Sequence, residues 1–165
     1  MKRLLVLRHA KAEPRESAQE DAARVLAESG RADARELGRL LRKRAVLPDL
    51  ILTSEAARAR ETAVGVAAEL ASTPPIRESP GLYESDAQGY LRELAGSPEE
   101  ASCVLIVGHN PAAEGLATLL AGRTVELKTC WLAELQVGVR KWKELLESPR
   151  SRLDAVLSPG GEREP

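Results

Sequence analysis

The chain has no phenylalanine and only two tryptophans and two tyrosines among its 165 residues, so aromatic side chains cannot supply most of a core. Burial must come from Leu, Val, Ile and Ala, within a hydrophobic fraction of 43% that is ordinary for a globular chain. At this length one sizeable core is expected and two are not. Cysteine is equally scarce. Cys103 lies in the apolar run "CVLIVG" and Cys130 precedes "WLAELQV". With no CxxC and no Cys/His spacing, they read as two buried free thiols, which excludes a zinc site and a disulfide framework. Excess charge is missing too, the formal net value being −1, so no global field draws the chain to nucleic acid or to an anionic membrane. Any anion site must therefore be local. Long hydrophobic runs are absent from the start of the chain: "MKRLLVLRHAKAEP" holds an apolar run of four residues ended by Arg8, far short of a signal peptide or a membrane span. The expectation is a cytosolic protein with no nucleic-acid and no membrane partner. Neither GxxxxGK[ST] nor GxGxxG occurs, and no Asp-rich cluster suits magnesium, so neither a metal nor a nucleotide cofactor of those types is expected.

What the chain does have is a rhythm. Arg3–Leu7, Leu50–Thr53 and Cys103–Val107 are short continuous runs of Leu, Val and Ile, as strands buried on both faces of a parallel sheet should be, with a weaker strand at Ile76–Glu78. Helical stripes separate them. Leu37, Leu40 and Leu41 form one; Ala59, Ala63, Val66, Ala67 and Leu70 a second; Tyr90, Leu91 and Leu94 a third; Ala112, Leu116, Leu119 and Leu120 a fourth. Strand and helix in alternation predict an α/β fold with helices on both faces of the sheet. After Gly122, Trp131, Ala133, Leu135 and Val137 alternate with Glu134 and Gln136, the pattern of a half-exposed strand near the sheet edge. "KWKELLE" fits a strand or a helical turn, and both stay open. The final "SPGGEREP" reads as a disordered tail, giving one domain over 1–157 and a tail over 158–165.

In an open α/β sheet, ligands bind outside the carboxyl ends of the parallel strands. The first strand delivers Arg8 and His9 there; the second delivers Thr53 and Ser54, then a helix carrying Arg58; the weak strand leads to "GLYESD" with Glu84 and Asp86; the last delivers His109. A single histidine is as often structural as functional. Here both histidines of the chain fall at strand ends, with two arginines on the same edge, and that coincidence marks a site. Arg60 reads as the solvated face of an Arg-rich helix, and Lys11 and Glu13 as solvated loop charges. Asn110-Pro111 is helix-start chemistry, an Asn cap followed by Pro at the first helical position. It would also leave backbone N–H groups beside His109, where an anion is favoured. Two guanidiniums, two imidazoles and a helix start suit a phosphoryl group best, since guanidinium forks match phosphate oxygens, although a carboxylate would also fit.

Several blocks resemble one family. "LRHAKAEP" resembles the "RHG" motif of the histidine phosphatase superfamily, also called phosphoglycerate-mutase-like; "SEAARARETA" resembles its "SPxxRAxxTA" segment and "VGHNP" the block of its second histidine. The short "RHAKA" form, the modest length and "RVLAESGRADARELGRLL", which is similar to "RPLTxxGxxxA", point within it to SixA-type phosphohistidine phosphatases. The match runs in order from about Lys2 to Leu120. The resemblance implies a three-layer α/β/α sandwich around a mostly parallel sheet. It implies His9 as a nucleophile that becomes phosphorylated, Arg8 and Arg58 as phosphoryl ligands, His109 as the second site histidine, and no metal. Asn110 joins Arg8, Arg58 and His109 as a candidate phosphate-binding residue, and Glu84 is the positional match to the general acid of larger members. Ala10 replaces the usual Gly and is tolerable at negative φ; Glu55 stands where Pro is common, and Ala27 where a Ser or Thr caps a helix. The expected substrate is a phosphorylated protein, specifically a phosphohistidine, or else a small phosphoester or phosphoanhydride. A phosphate-binding module without catalysis is the third reading, and the retention of both histidines argues against it.

Overall fold

The computed structural model describes residues 1–164. Seven strands form one sheet in the order β3-β2-β4-β1-β5-β6-β7, comprising β1 (Lys2–Arg8), β2 (Leu50–Thr53), β3 (Ile76–Glu78), β4 (Cys103–Gly108), β5 (Leu132–Val137), β6 (Arg152–Ser158) and β7 (Gly161–Arg163). The first four are mutually parallel and the last three antiparallel. Four helices connect them: α1 (Glu28–Lys43), α2 (Ala57–Ala67), α3 (Ala87–Ala95) and α4 (Ala112–Ala121).

Alternation along the buried strands sends side chains to two cores. Leu4, Val6, Leu52 and Ile106 face Tyr90, Leu94 and Leu116 of α3 and α4, with Trp142 closing that layer. Leu5, Leu7, Ile51 and Val107 face Leu37, Leu41, Ala63 and Val66 of α1 and α2. This is the expected three-layer α/β/α sandwich, filled by aliphatic side chains, and Cys103 and Cys130 are buried free thiols within it. No described helix is long and apolar enough to cross a membrane.

Three expectations need correction or completion. β5 is an interior strand, buried on both faces. The polar phase that suggested exposure is Glu134, 4% exposed, whose carboxylate meets Arg3 at 3.4 Å and Arg44 at 3.3 Å; a buried charge paired in this way is tolerated where an unpaired one is not. The supposed tail is ordered from Ser158 through Glu164, with Pro165 outside the described residues. "SPGG" is the turn of the β6–β7 hairpin, and Ala155, Val156 and Leu157 before it are core residues. The element around 141–147 is a short 3-10 helix, Trp142–Leu146, burying Trp142 and Leu145.

Candidate active site

The carboxyl ends of β1, β2 and β4 are locked together by main-chain bonds. His9 N–H donates to the Gly108 carbonyl at 2.9 Å, and Ser54 N–H to the Val107 carbonyl at 3.0 Å. Register therefore brings His9, Ser54 and His109 to one edge, and the two imidazole centroids lie 5.1 Å apart. Side chains fix each position further. Thr62 on α2 accepts from Ala10 N–H at 3.0 Å and donates to the Arg58 carbonyl at 2.7 Å, tying the segment after β1 to the helix that carries Arg58. The Tyr90 hydroxyl accepts from His109 N–H at 2.9 Å and donates to the Leu82 carbonyl at 2.7 Å. Gly108 has no side chain because a Cβ there would strike the Tyr90 hydroxyl and ring. Cys130, at φ 60°, turns its amide to the Arg8 and His9 carbonyls, both at 3.1 Å.

His9 Nδ1 lies 2.7 Å from the Ala10 carbonyl. A carbonyl only accepts, so the proton sits on Nδ1 and Nε2 keeps its lone pair. Ala10 is fully buried, and positive φ outside glycine occurs only at Ala45 and Cys130 among the described residues, so the methyl replaces glycine without strain. His109 Nε2 lies 2.8 Å from Ser54 Oγ. That oxygen also accepts from Ala56 N–H, and among the described residues Nε2 is the one acceptor the structure offers its own proton, so the hydroxyl is satisfied when Ser54 donates to Nε2 and the His109 proton sits on Nδ1. His109 Nδ1 and Arg8 Nε are both buried with no protein partner, a costly state that a bound anion would relieve.

Both rings are held neutral. Burial lowers the His9 pKa to about 4, helped by the charges of Arg58, Arg8 and Arg24 and opposed by the Ala10 carbonyl. Burial lowers His109 to about 3, helped by His9, Arg58 and Arg8 and opposed by Asp21.

Arg8 donates through Nη1 to the Leu127 carbonyl at 3.2 Å. Arg58 is 7% exposed; it donates from Nη1 to the Asp21 carbonyl and from Nη2 to Asp21 Oδ2, both at 2.9 Å. Arg8, Arg58, His9 and His109 are thus brought together, while two other candidates are not. Asn110 spends its amide on the Leu127 carbonyl at 2.9 Å and the Glu114 carboxylate at 3.3 Å, and its Oδ1 accepts from Glu114 N–H. The N-cap of α4 is Pro111 and not the expected Asn110; Asn110 stands one residue earlier, reaching the first turn through Glu114 N–H and anchoring the segment before β5. The N–H groups of Ala113 and Gly115 bond to the His109 and Pro111 carbonyls, so this helix start offers an anion less than its sequence suggested. Glu84 is exposed, has no hydrogen bond to site residues, and stands one position after Tyr83, whose ring centroid is 5.5 Å from that of His109. Asp86 caps α3, accepting from Gly89 N–H. Arg60 pairs with Glu78 on the surface, and Lys11 and Glu13 are exposed. Among the described residues, no three His, Cys, Asp or Glu side chains gather as a metal site would need.

The sequence reading missed Asp21, Arg24 and Tyr83. Asp21 lies on a 3-10 turn, Asp21–Ala23, and meets Arg58, Tyr83 and Arg24. A lone loop aspartate gives no local signal, whereas Arg24 opens the "RVLAESG" block and Tyr83 stands in "GLYESD", beside the Glu84 that drew attention instead.

The family model for the histidine phosphatase superfamily (branch 1) matches residues 4–91. An uncharacterized chloroplastic protein of Arabidopsis thaliana is 31% identical over 97% of this chain and 74% of its own length. A candidate phosphohistidine phosphatase SixA from Agrobacterium tumefaciens superposes with a TM-score of 0.81 at 29% identity, covering 94% of this chain and 97% of that one. One from Nakamurella multipartitia gives 0.80 at 26%, covering 94% of each. The matched segment holds His9 and Arg58 and the superposed fold extends through His109, so the chain belongs to the histidine phosphatase superfamily and shares the SixA fold.

Proposed function

We propose that the chain is a phosphatase working through a covalent phosphohistidine at His9, with protein phosphohistidine as its substrate. The observation that carries this reading is the state of His9: neutral, with its proton fixed on Nδ1 by the Ala10 carbonyl and its Nε2 lone pair free among Arg8, Arg58 and His109. Nε2 attacks phosphorus and forms the N–P bond as the bond to the leaving group breaks. Arg8 and Arg58 hold the phosphoryl oxygens, and the His109 Nδ1 proton meets the charge that develops on them. Water then attacks the phosphohistidine, the N–P bond breaks, phosphate leaves and His9 returns to its neutral state. No step needs a metal. Two negative charges arriving beside His109 shift its pKa upward, toward the cationic form.

Two features support a phosphorylated protein over a small phosphate. The path from β3 to β4 contains only a 3-10 turn and α3, with no added segment to close over a small substrate. Glu84, the counterpart of an alcohol-protonating acid, stands outside the hydrogen-bonded site. A phosphorylated imidazole can leave already protonated and has little need of that acid. Two buried, unpaired thiols fit a reducing compartment such as the cytosol.

The test is a substrate panel. A phosphohistidine peptide is expected to be turned over faster than sugar phosphates, and Glu84→Gln to leave both rates within about twofold, where a lost general acid would cost about 100-fold. Faster turnover of a sugar phosphate, with Glu84 required, would establish the small-phosphoester reading instead.

A further inference from the structure

The loop between β1 and α1 is closed at its base, by an Ala12–Leu26 bridge and by Ala27 N–H donating to the Lys11 carbonyl at 2.9 Å. The excursion between these points brings Asp21 over the site. Its Oδ2 accepts from Tyr83 Oη at 2.7 Å and Arg58 Nη2 at 2.9 Å, its Oδ1 from Arg24 Nη1 at 3.2 Å, and its main-chain carbonyl from Arg58 Nη1 at 2.9 Å. A guanidinium has five N–H donors in a rigid fork. Asp21 takes two of those on Arg58 and leaves three, including Nε–H, for a ligand.

We propose that Asp21 is a positioning residue for phosphoryl transfer, fixing the Arg58 fork so that a phosphoryl group meets donors already aimed at it. This rests on the function proposed above and adds a residue to it. Arg58 is nearly buried, and a buried cation without a partner anion is costly. Without Asp21 each substrate would have to order that side chain itself. The Tyr83 hydroxyl, then Arg24 and Arg58, hold the Asp21 carboxyl well below the usual carboxylate range, so it acts as a fixed anion and not as a proton donor. The competing idea is that Asp21 occupies the place of the phosphoryl group and must be displaced. The two ideas predict effects of opposite sign.

The experiment is a double-mutant cycle. Asp21→Ala, Asp21→Asn, Arg58→Ala and Asp21→Ala/Arg58→Ala are compared for kcat and KM on p-nitrophenyl phosphate and on a phosphohistidine peptide, with inhibition by inorganic phosphate and a thermal melt for each. Asp21→Ala is expected to lower kcat/KM by about 10- to 100-fold, mostly in kcat, as a misaimed ligand would. Asp21→Asn, which keeps an acceptor for Arg58 and Tyr83 but not the charge, should recover part of that loss. In the Arg58→Ala background Asp21→Ala should cost no more than about twofold, because residues acting as a unit are not additive. A rise in kcat/KM with tighter phosphate inhibition, or an equal loss in both backgrounds, would overturn the proposal. If Asp21→Ala does not fold, Tyr83→Phe removes one of the bonds that hold the carboxylate; a kcat loss confined to the Arg58 background supports the proposal and no loss contradicts it. His9→Ala run alongside keeps the two questions apart, since full turnover in that variant sinks the phosphatase mechanism and not the role of Asp21 alone.

Discussion

At the scale of single residues, the account turns on two imidazoles kept neutral by burial and by surrounding guanidiniums. The chain has only these two histidines, so ring 15N spectra over a pH series read them without interference, and His9→Ala assigns them. Neither ring should titrate between pH 8 and 5, given values lowered to about 4 and about 3; a midpoint near 6.5 for either would contradict the site as described. The sign for stability follows. Each folded value lies below the unfolded one, near 6.5, so the native state binds fewer protons. Stability is fully present above about pH 6.5 and is lost as pH falls toward 4 and then 3. Arg8, His9 and His109 were legible in the sequence because each ends, or directly follows, a strand buried on both faces, where a polar residue needs a reason, and Arg58 because it lies in the first turn of the helix after such a strand. Asp21 and Tyr83 were not, because they reach the site through loops, and nothing local distinguishes them from solvated side chains. Glu84 illustrates the converse. Its motif position suggested an acid, yet the residue beside it, Tyr83, is the one whose hydroxyl bonds within the site.

Among the elements, the parallel half of the sheet could be read strand by strand, since its continuous aliphatic runs have one physical meaning. In the antiparallel half β5 could be read as a strand, but its burial and the β6–β7 hairpin could not. Glu134 looked like the wet phase of an edge strand because its partners come from β1 and from the residue after α1, contacts that no local pattern displays. "SPGG" has the composition of a tail and the geometry of a hairpin turn, and only the pairing of β7 with β6 separates the two. The importance of this hairpin is testable. Ending the chain at Ser151 removes Ala155, Val156 and Leu157, all nearly inaccessible, and leaves β5 as an unpaired edge. The truncated chain should be insoluble or melt far below the full chain. Leu157→Ala alone should cost about 2–5 kcal/mol in urea denaturation, as buried Leu truncations do. A truncated chain that melts like the intact protein would show the hairpin to be an appendage.

For the whole molecule, one geometric fact organises the proposed function: parallel strands end together, and the carboxyl ends of β1, β2 and β4 bring His9, Ser54 and His109 to one edge. The aliphatic cores on both sheet faces hold that edge rigid, and Thr62, Tyr90 and Cys130 pin the main chain at its last residues. In the proposed mechanism this gives a nucleophile whose tautomer and position are set before substrate arrives. The most direct measurement of this claim is to trap the intermediate. The protein is mixed with a labelled phosphoryl donor, quenched on the timescale of one turnover and examined for bound label. The account predicts a phosphoenzyme that is labile in acid and stable in base, carries its label on His9 and is lost in His9→Ala together with turnover. Label that survives acid, label on another residue, or full turnover by His9→Ala would contradict it.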